Sequence, residues 1–294
     1  MYLSYVLITA ARNEESYIGK TIQSVIKQTV LPKKWIIVSD GSTDNTDAIV
    51  RRYARDAHFI NLIRTSEHKD RQFAAKVEAF TVGYEHVRDV QYDIIGNLDA
   101  DVSFDEDFFA YLLDKFEQMP KLGVAGTDYI EGGFHSFKDS YISPNHVNGQ
   151  CQMFRRQCFE DIGGYSPIRG GGIDWLAVMT ARMKGWKTQS FGERTYVHHH
   201  PMGRSHGNVL SARFHYGRKD YVCGGHPLWQ IFRGMFQMIK KPYLIGGLLL
   251  LVGYFWSWIS GAERIVSRDL LQFHRSEQMR RLAALVLRKG TRRE

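Results

Sequence analysis

The run Tyr92-Asp93-Ile94-Ile95-Gly96-Asn97-Leu98-Asp99-Ala100-Asp101 constrains this chain more than any other. A strand-length apolar segment, Tyr92 to Leu98, ends abruptly in two carboxylates one residue apart. Residues i and i+2 of an extended chain project to the same side, so Asp99 and Asp101 converge just past the strand's carboxyl end. Open α/β sheets bind their ligands at that edge. Two like charges held together repel unless a cation lies between them. Mg2+ and Mn2+ suit such a place, because they take carboxylates together with substrate phosphates. The alternative is an acidic surface turn, and the rest of the chain weighs against it.

Tyr5 to Ala10 is a short β-forming run closed by Ala11-Arg12-Asn13-Glu14-Glu15, after which Ile18, Ile22, Val25 and Ile26 recur at helical spacing. Pro32 stops that helix before a second buried strand, Trp35 to Val38, which runs into Ser39-Asp40-Gly41-Ser42-Thr43-Asp44-Asn45-Thr46-Asp47. The Asx, Ser and Thr side chains there are N-cap candidates for a helix carrying Ile49, Val50 and Tyr53. Phe59 to Arg64 is a third strand. Phe73, Val77, Phe80, Tyr84 and Val87 stripe one face of the helix that leads back to Tyr92. Strands alternating with helices imply right-handed βαβ units and a parallel sheet. The polar clusters Ala11–Glu14, Asp40–Asp44 and Asp99–Asp101 then share one sheet edge, a coincidence far harder to obtain by chance than any single motif.

The middle is less regular. A helix over Phe108 to Met119 leads to a strand, Gly123 to Tyr129, and a Gly-rich loop from Glu131 to Asn148 is expected to cover the site. Gln150 to Phe154 reads as another strand. Arg169-Gly170-Gly171-Gly172 precedes Asp174, which is expected to cap a helix with Leu176, Val178, Met179 and Met183 on its inner face. His198-His199-His200-Pro201 closes a strand-like segment. Alternation puts His198 and His200 on one side, either toward a metal or phosphate or out into solvent.

The net charge of +8 and pI near 9.3 point to an anionic partner: nucleic acid, a phosphorylated substrate or an acidic membrane surface. Cys151, Cys158 and Cys223 lack metal-like spacing and read as reduced thiols in a cytosolic setting. Met1 to Tyr5 shows no basic leader. From Arg204 the character changes to basic and His-rich, and Pro242 to Ile259 is the most hydrophobic run in the chain. A bilayer span needs roughly 17–25 residues, and glycines interrupt this one. Arginines lie on both sides of it, against the positive-inside tendency for a single crossing. A re-entrant or interface-lying helical hairpin on the cytoplasmic face is expected; the alternatives are a true span and a buried core helix.

Thr9 to Glu15, Ile22-Gln23-Ser24-Val25 with Gln28-Thr29, and Val38 to Thr46 resemble the opening of family 2 inverting glycosyltransferases of GT-A fold. That resemblance implies an α/β class, a doubly wound, Rossmann-like mixed sheet. Leu98-Asp99-Ala100-Asp101 is similar to the family's metal-binding DxD signature, and Asp174 sits where its acidic acceptor-site motif falls. Tyr216-Gly217, His226-Pro227-Leu228 and Arg275-Ser276-Glu277-Gln278 resemble bacterial envelope or exopolysaccharide members, whose C-terminal helices are membrane-associated. The expected division is a GT-A catalytic domain over residues 1–205 and a basic, hydrophobic helical region over 206–294.

The resemblance implies that Ala11, Arg12, Glu14 and Asp40 hold the nucleoside of a nucleotide-sugar donor. Arg71 and Lys76 touch base or phosphate, or else line a solvated helix face. Asp99 lies near the ribose or the metal, Asp101 ligates Mn2+ or Mg2+, and His200 is a further candidate ligand. Asp174 is the general base, or a plain helix cap. Trp175 stacks on an acceptor sugar or belongs to the core. Arg204, His206 and Arg218 suit a phosphate lid or a lipid-diphosphate headgroup, or a basic membrane-facing surface. Two departures stand out: Ser39 occupies a position where the family often has a carboxylate, and Ile173 precedes Asp174 where it often has Glu. No Gln-x-x-Arg-Trp is present, so one sugar per lipid-linked acceptor is expected. A sugar nucleotidyltransferase is one rival, but it wants a Gly-rich basic loop where this chain has Ala10-Ala11-Arg12-Asn13. A non-catalytic binder of anionic lipid or nucleic acid is another; it accounts for the positive charge but leaves the acidic clusters unexplained, and no nucleic-acid partner is expected.

Overall fold

A computed structural model describes residues 3–66, 73–136, 143–167, 172–200 and 209–290, and the chain separates into two compact units, Met1–Pro201 and Met202–Glu294. In the first unit β1 (Tyr5–Ala11), β2 (Lys34–Asp40), β3 (Ile60–Thr65) and β4 (Ile94–Leu98) run parallel. Between them come α1 (Ile18–Ile26), α2 (Thr46–Ala54) and α3 (Phe73–Glu85). The chain continues through β5 (Val102–Phe104), α4 (Phe108–Gln118), β6 (Leu122–Glu131), β7 (Phe134–His135), β8 (Cys151–Arg155), α5 (Arg156–Asp161), α6 (Ile173–Met183) and β9 (Lys187–His198). The sheet runs in the order β3-β2-β1-β4-β8-β6-β9-β5, with β7 beside β6.

Side-chain alternation along the strands divides the core between two faces. Leu7, Ile37 and Leu98 pack with residues of α1, α2 and α4, whereas Ile8, Ile36 and Ile95 pack with those of α3, α5 and α6. Every residue of β4 is buried, which explains why its sequence is apolar but for Asn97, whose side-chain amide donates to the carbonyl of Gly149. The sheet is mixed: β8 lies antiparallel between β4 and β6, and β5 pairs antiparallel with β9. β6 and β9 are parallel, so the carboxyl ends of β1, β2, β4, β6 and β9 all fall on one edge.

The structure corrects one local expectation and adds detail to two other places. The stretch from Glu131 to Asn148 is more than a cover: Glu131 completes β6, Val147 is fully buried, and Ser190 Oγ donates to the carbonyl of His146. Residues 137–142 of that loop lie outside the described residues. The N-cap of α6 is Gly172 at φ +103, so Asp174 sits inside the first turn instead of capping it. β5, only three residues long, was not foreseen at all.

The second unit comprises α7 (Val209–Val222), α8 (Pro227–Met238), α9 (Ile245–Ile259) and α10 (Arg268–Gly290). Here the glycines of the hydrophobic run have a packing role. A Cβ on Gly253 would meet the carbonyl oxygen of Phe214 at 2.1 Å, and one on Gly247 would meet that of Gly234 at 2.3 Å. Their absence lets α9 touch α7 and α8 at backbone distance. Arg275 donates to the carbonyl of Gly224, and Gln278 accepts from the backbone N–H of His226, so that segment ties α10 to the α7–α8 turn. Among the described residues no helix is long and apolar enough to cross a membrane.

Candidate active site

The loops after β1 and β2 are built as one structure. Asn13, at φ +55, donates its backbone N–H to Ser42 and accepts from the backbone N–H of Thr43 on its side-chain oxygen. Glu14 N–H donates to Thr46 Oγ1 at 2.8 Å, and Glu15 accepts from the backbone N–H of Asn45 at 3.0 Å. Ser39, which replaces the family's frequent carboxylate, is fully buried and donates to Ser42 Oγ at 3.0 Å. The hydroxyl thus closes the turn that Gly41, at φ +60, opens. Behind this zipper Asp40 is buried, 3.7 Å from the Arg12 guanidinium, and accepts from Thr65 Oγ1. Ala11 is buried beside it.

At the next strand end, Asp99 donates its backbone N–H to the carbonyl of Gln150 and holds the Lys76 ammonium at 2.5 Å. Burial pushes the Asp99 carboxyl up, Lys76 pulls it down and Asp101 pushes it up again, leaving it above the usual carboxylate range. For Lys76, burial acts against the charge, yet Asp99, Asp174 and Asp101 together raise it above an ordinary lysine. Lys76 thus sits on Asp99 and within electrostatic reach of Asp174 and Asp101. Asp174 abuts Gly149, where an added Cβ would come within 2.9 Å of its own Cβ. Tyr165 donates to Gln152 Oε1 at 2.6 Å, and burial followed by the fields of Asp174 and Asp99 raises its pKa well above that of a free phenol. Trp175 is half-buried on α6.

Asp101 faces His198, whose Nε2 lies 3.2 Å from its Oδ2. The other nitrogen, Nδ1, is 2.6 Å from Glu131 Oε2. Burial works against an imidazolium here, but the hydrogen bonds and charges of Asp101 and then Glu131 outweigh it and push the pKa up to about 9. The expected histidine alternation fails because β9 ends at His198, where Val102 pairs with it and the carbonyl of Asp101 accepts from the backbone N–H of His199. His199 turns to Ser103 and stacks on Tyr17, and burial followed by Lys20 lowers its pKa. His200 is exposed, 6.1 Å from the Tyr17 ring, and does not accompany His198 as the ligand candidate. Arg71, Arg204 and His206 lie outside the described residues. Arg218 is exposed on α7, in the second unit.

Among the described residues no three His, Cys, Asp or Glu side chains form a ready ligand set. Asp99 is engaged by Lys76, which leaves Asp101 and His198 as one oxygen and one nitrogen donor within hydrogen-bond reach of each other. Mg2+-type sites use one or two carboxylates and take further ligands from substrate phosphates, a role the Asp101 carboxylate fits, with the His198 imidazole, a common metal-ligand type, beside it. Sequence reasoning overlooked Glu131 and underused His198, since their convergence depends on β6 and β9 ending beside the start of β5.

Four parallel strands, an antiparallel strand inserted after them and an acidic carboxyl edge make up a GT-A-like sheet. The chain belongs to glycosyl transferase family 2, whose profile matches residues 6–167. Over 180 residues it is 28% identical to poly-β-1,6-N-acetyl-D-glucosamine synthase of Staphylococcus epidermidis, covering 55% of this chain and 41% of that protein. To the synthase of Staphylococcus aureus strain COL it is 30% identical over 117 residues, covering 40% of this chain and 26% of the relative. The chain therefore matches less than half the length of these relatives. A mannosyltransferase from Pyrobaculum calidifontis, solved with GDP-Man and Mn2+, superimposes with a TM-score of 0.59 at 18% identity, covering 99% of this chain and 83% of the other. S. aureus TarS with UDP-GlcNAc gives 0.55 at 12% identity over 92% and 78%. At these identities the structural likeness concerns the fold.

Proposed function

We propose that this chain is a divalent-metal-dependent, inverting glycosyltransferase. In this reading it moves one sugar from a nucleotide sugar to a lipid-linked, polyisoprenoid-diphosphate acceptor. The product would serve cell-envelope or exopolysaccharide synthesis at the cytoplasmic face of a membrane. The observation that carries the reading is the meeting of Asp101 and His198, 3.2 Å apart, at the edge where Asp40 and Asp99 also emerge. The donor class is supported by fold neighbours solved with GDP-Man and UDP-GlcNAc, and the polymer context by the synthase relatives.

Arg12 and Asp40, with the Ala11–Glu14 backbone, hold the nucleoside. Lys76 neutralises Asp99 and keeps the carboxylate cluster from repelling the donor's diphosphate. Asp101 and His198 would hold Mn2+ or Mg2+, and the ion would supply positive charge to offset that developing on the leaving nucleoside diphosphate. Asp174 accepts the proton of the acceptor hydroxyl as that oxygen bonds to the anomeric carbon. The bond from that carbon to the diphosphate oxygen breaks on the opposite face, so the configuration inverts. Gly149 leaves room for the Asp174 carboxylate to reach the acceptor side.

Membrane association rests on α8 and α9. Leu228, Ile231, Met235 and Ile239 stand exposed at helical spacing, as do Ile245, Leu248, Val252, Trp256 and Ile259. This is a broad apolar stripe, with Lys240 and Lys241 at its turn for anionic headgroups. The deciding experiment supplies labelled nucleotide sugars and a membrane-lipid fraction to the purified chain, with Mn2+, Mg2+ or EDTA. Label entering an organic-extractable product only with metal is the expected result. Equal transfer in EDTA, or release of pyrophosphate from a nucleoside triphosphate and a sugar phosphate, would overturn the reading.

A further inference from the structure

Glu131 takes no part in the scheme above, yet it completes a row of three side chains. β6, β9 and β5 are neighbours in the sheet, with Ile130 paired to Val197 and Val102 paired to His198. Glu131, His198 and Asp101 consequently stand side by side where β6 and β9 end and β5 begins. His198 is 7% exposed, and both ring nitrogens are engaged, by Asp101 at 3.2 Å and by Glu131 at 2.6 Å. The ring of Tyr129 meets it edge-on at 6.5 Å and closes another side.

An imidazole that ligates a metal through one nitrogen carries its single ring proton on the other. A carboxylate at that second nitrogen keeps the proton there and fixes the plane of the ring. We propose that Glu131 is the positioning residue of the metal site: by accepting from Nδ1 of His198, it commits Nε2 to an ion shared with Asp101. This inference rests on the metal-dependent reading of the site. Glu131 itself touches neither metal nor substrate. The site is thus prepared from β6, an element outside the acidic strand-end motif.

The test is Mn2+ binding by the full chain, followed by electron paramagnetic resonance during titration with manganese chloride, with and without UDP. The variants are Glu131→Ala, Glu131→Gln, His198→Ala and Asp101→Asn. Loss of the carboxylate in Glu131→Ala should weaken Mn2+ binding about 10–100-fold, as for other partners of metal-bound histidines. Glu131→Gln should be less affected, since its amide oxygen still accepts from Nδ1. A purely structural role would lower the melting temperature without altering the Mn2+ affinity of the folded protein. If Glu131→Ala binds Mn2+ within threefold of the parent while His198→Ala loses it, this inference fails and the metal reading survives. If His198→Ala and Asp101→Asn also bind normally, both fail. Should Glu131→Ala not fold, Glu131→Asp takes its place, and an affinity within twofold of the parent overturns the proposal.

Discussion

Alkaline titration of the metal-free protein should cost about 3 kcal/mol of stability through one side chain, His198. Its pKa stands at about 9 in the folded chain against 6.5 for a free histidine, and each unit is worth 1.36 kcal/mol. A folded pKa above the unfolded one means that the folded state holds the proton more tightly. The stabilisation is complete below pH 6.5 and is lost as the pH climbs toward 9. Buried thiols add their own alkaline loss. Cys158, pushed up to about 12 by burial, begins to contribute only near the free thiol value of 9.0, so the window from pH 6.5 to 8.5 isolates the imidazole. For a unit of this size, about 3 kcal/mol corresponds to a fall of roughly 6–12 °C in melting temperature. The assay is calorimetric or circular-dichroism melting in EDTA, parent against His198→Gln, at half-unit pH steps. A parent-minus-variant difference that stays flat between pH 6 and 9, or grows with pH, would refute the argument that Asp101 and Glu131 hold an imidazolium between them.

Two further outcomes can be checked separately. Asp174→Asn should keep the donor's dissociation constant within about twofold and lower the transfer rate by about 10²–10⁴, the usual contribution of a positioned base, and undiminished turnover would remove Asp174 from that role. Replacing Trp256 and Ile259 together by Glu should reduce retention on anionic lipid vesicles at least tenfold in a flotation assay; unchanged retention would remove α9 from the membrane reading.

Much of the first unit was legible because its physics is local. Strands buried on both faces leave continuous apolar runs, as in Trp35 to Val38, and helices that cover a sheet leave a periodic stripe, as in Ile18, Ile22 and Val25. Residues at the ends of parallel strands must share an edge, so Asp40, Asp99 and Asp101 could be grouped from the order of elements alone. The hydrophobic run near the C-terminus was equally plain. The purpose of its glycines was not, since a close helix contact depends on what the other helix brings to the crossing.

Tertiary pairing decided the remainder. Whether His198 or His200 meets Asp101 turns on where β9 stops, and that is set by β5, a strand too short to announce itself. Glu131 reaches the same imidazole only because β6 lies beside β9, though the two residues are far apart in the chain. Asp174 lost its capping place to Gly172 because a left-handed turn starts α6 two residues earlier than the acidic side chain suggested. Local composition therefore determined the strands, the helices and the acidic edge of this family 2 chain. Contacts between distant strands determined which side chains meet there, because side-chain direction follows register and register is a property of the assembled sheet.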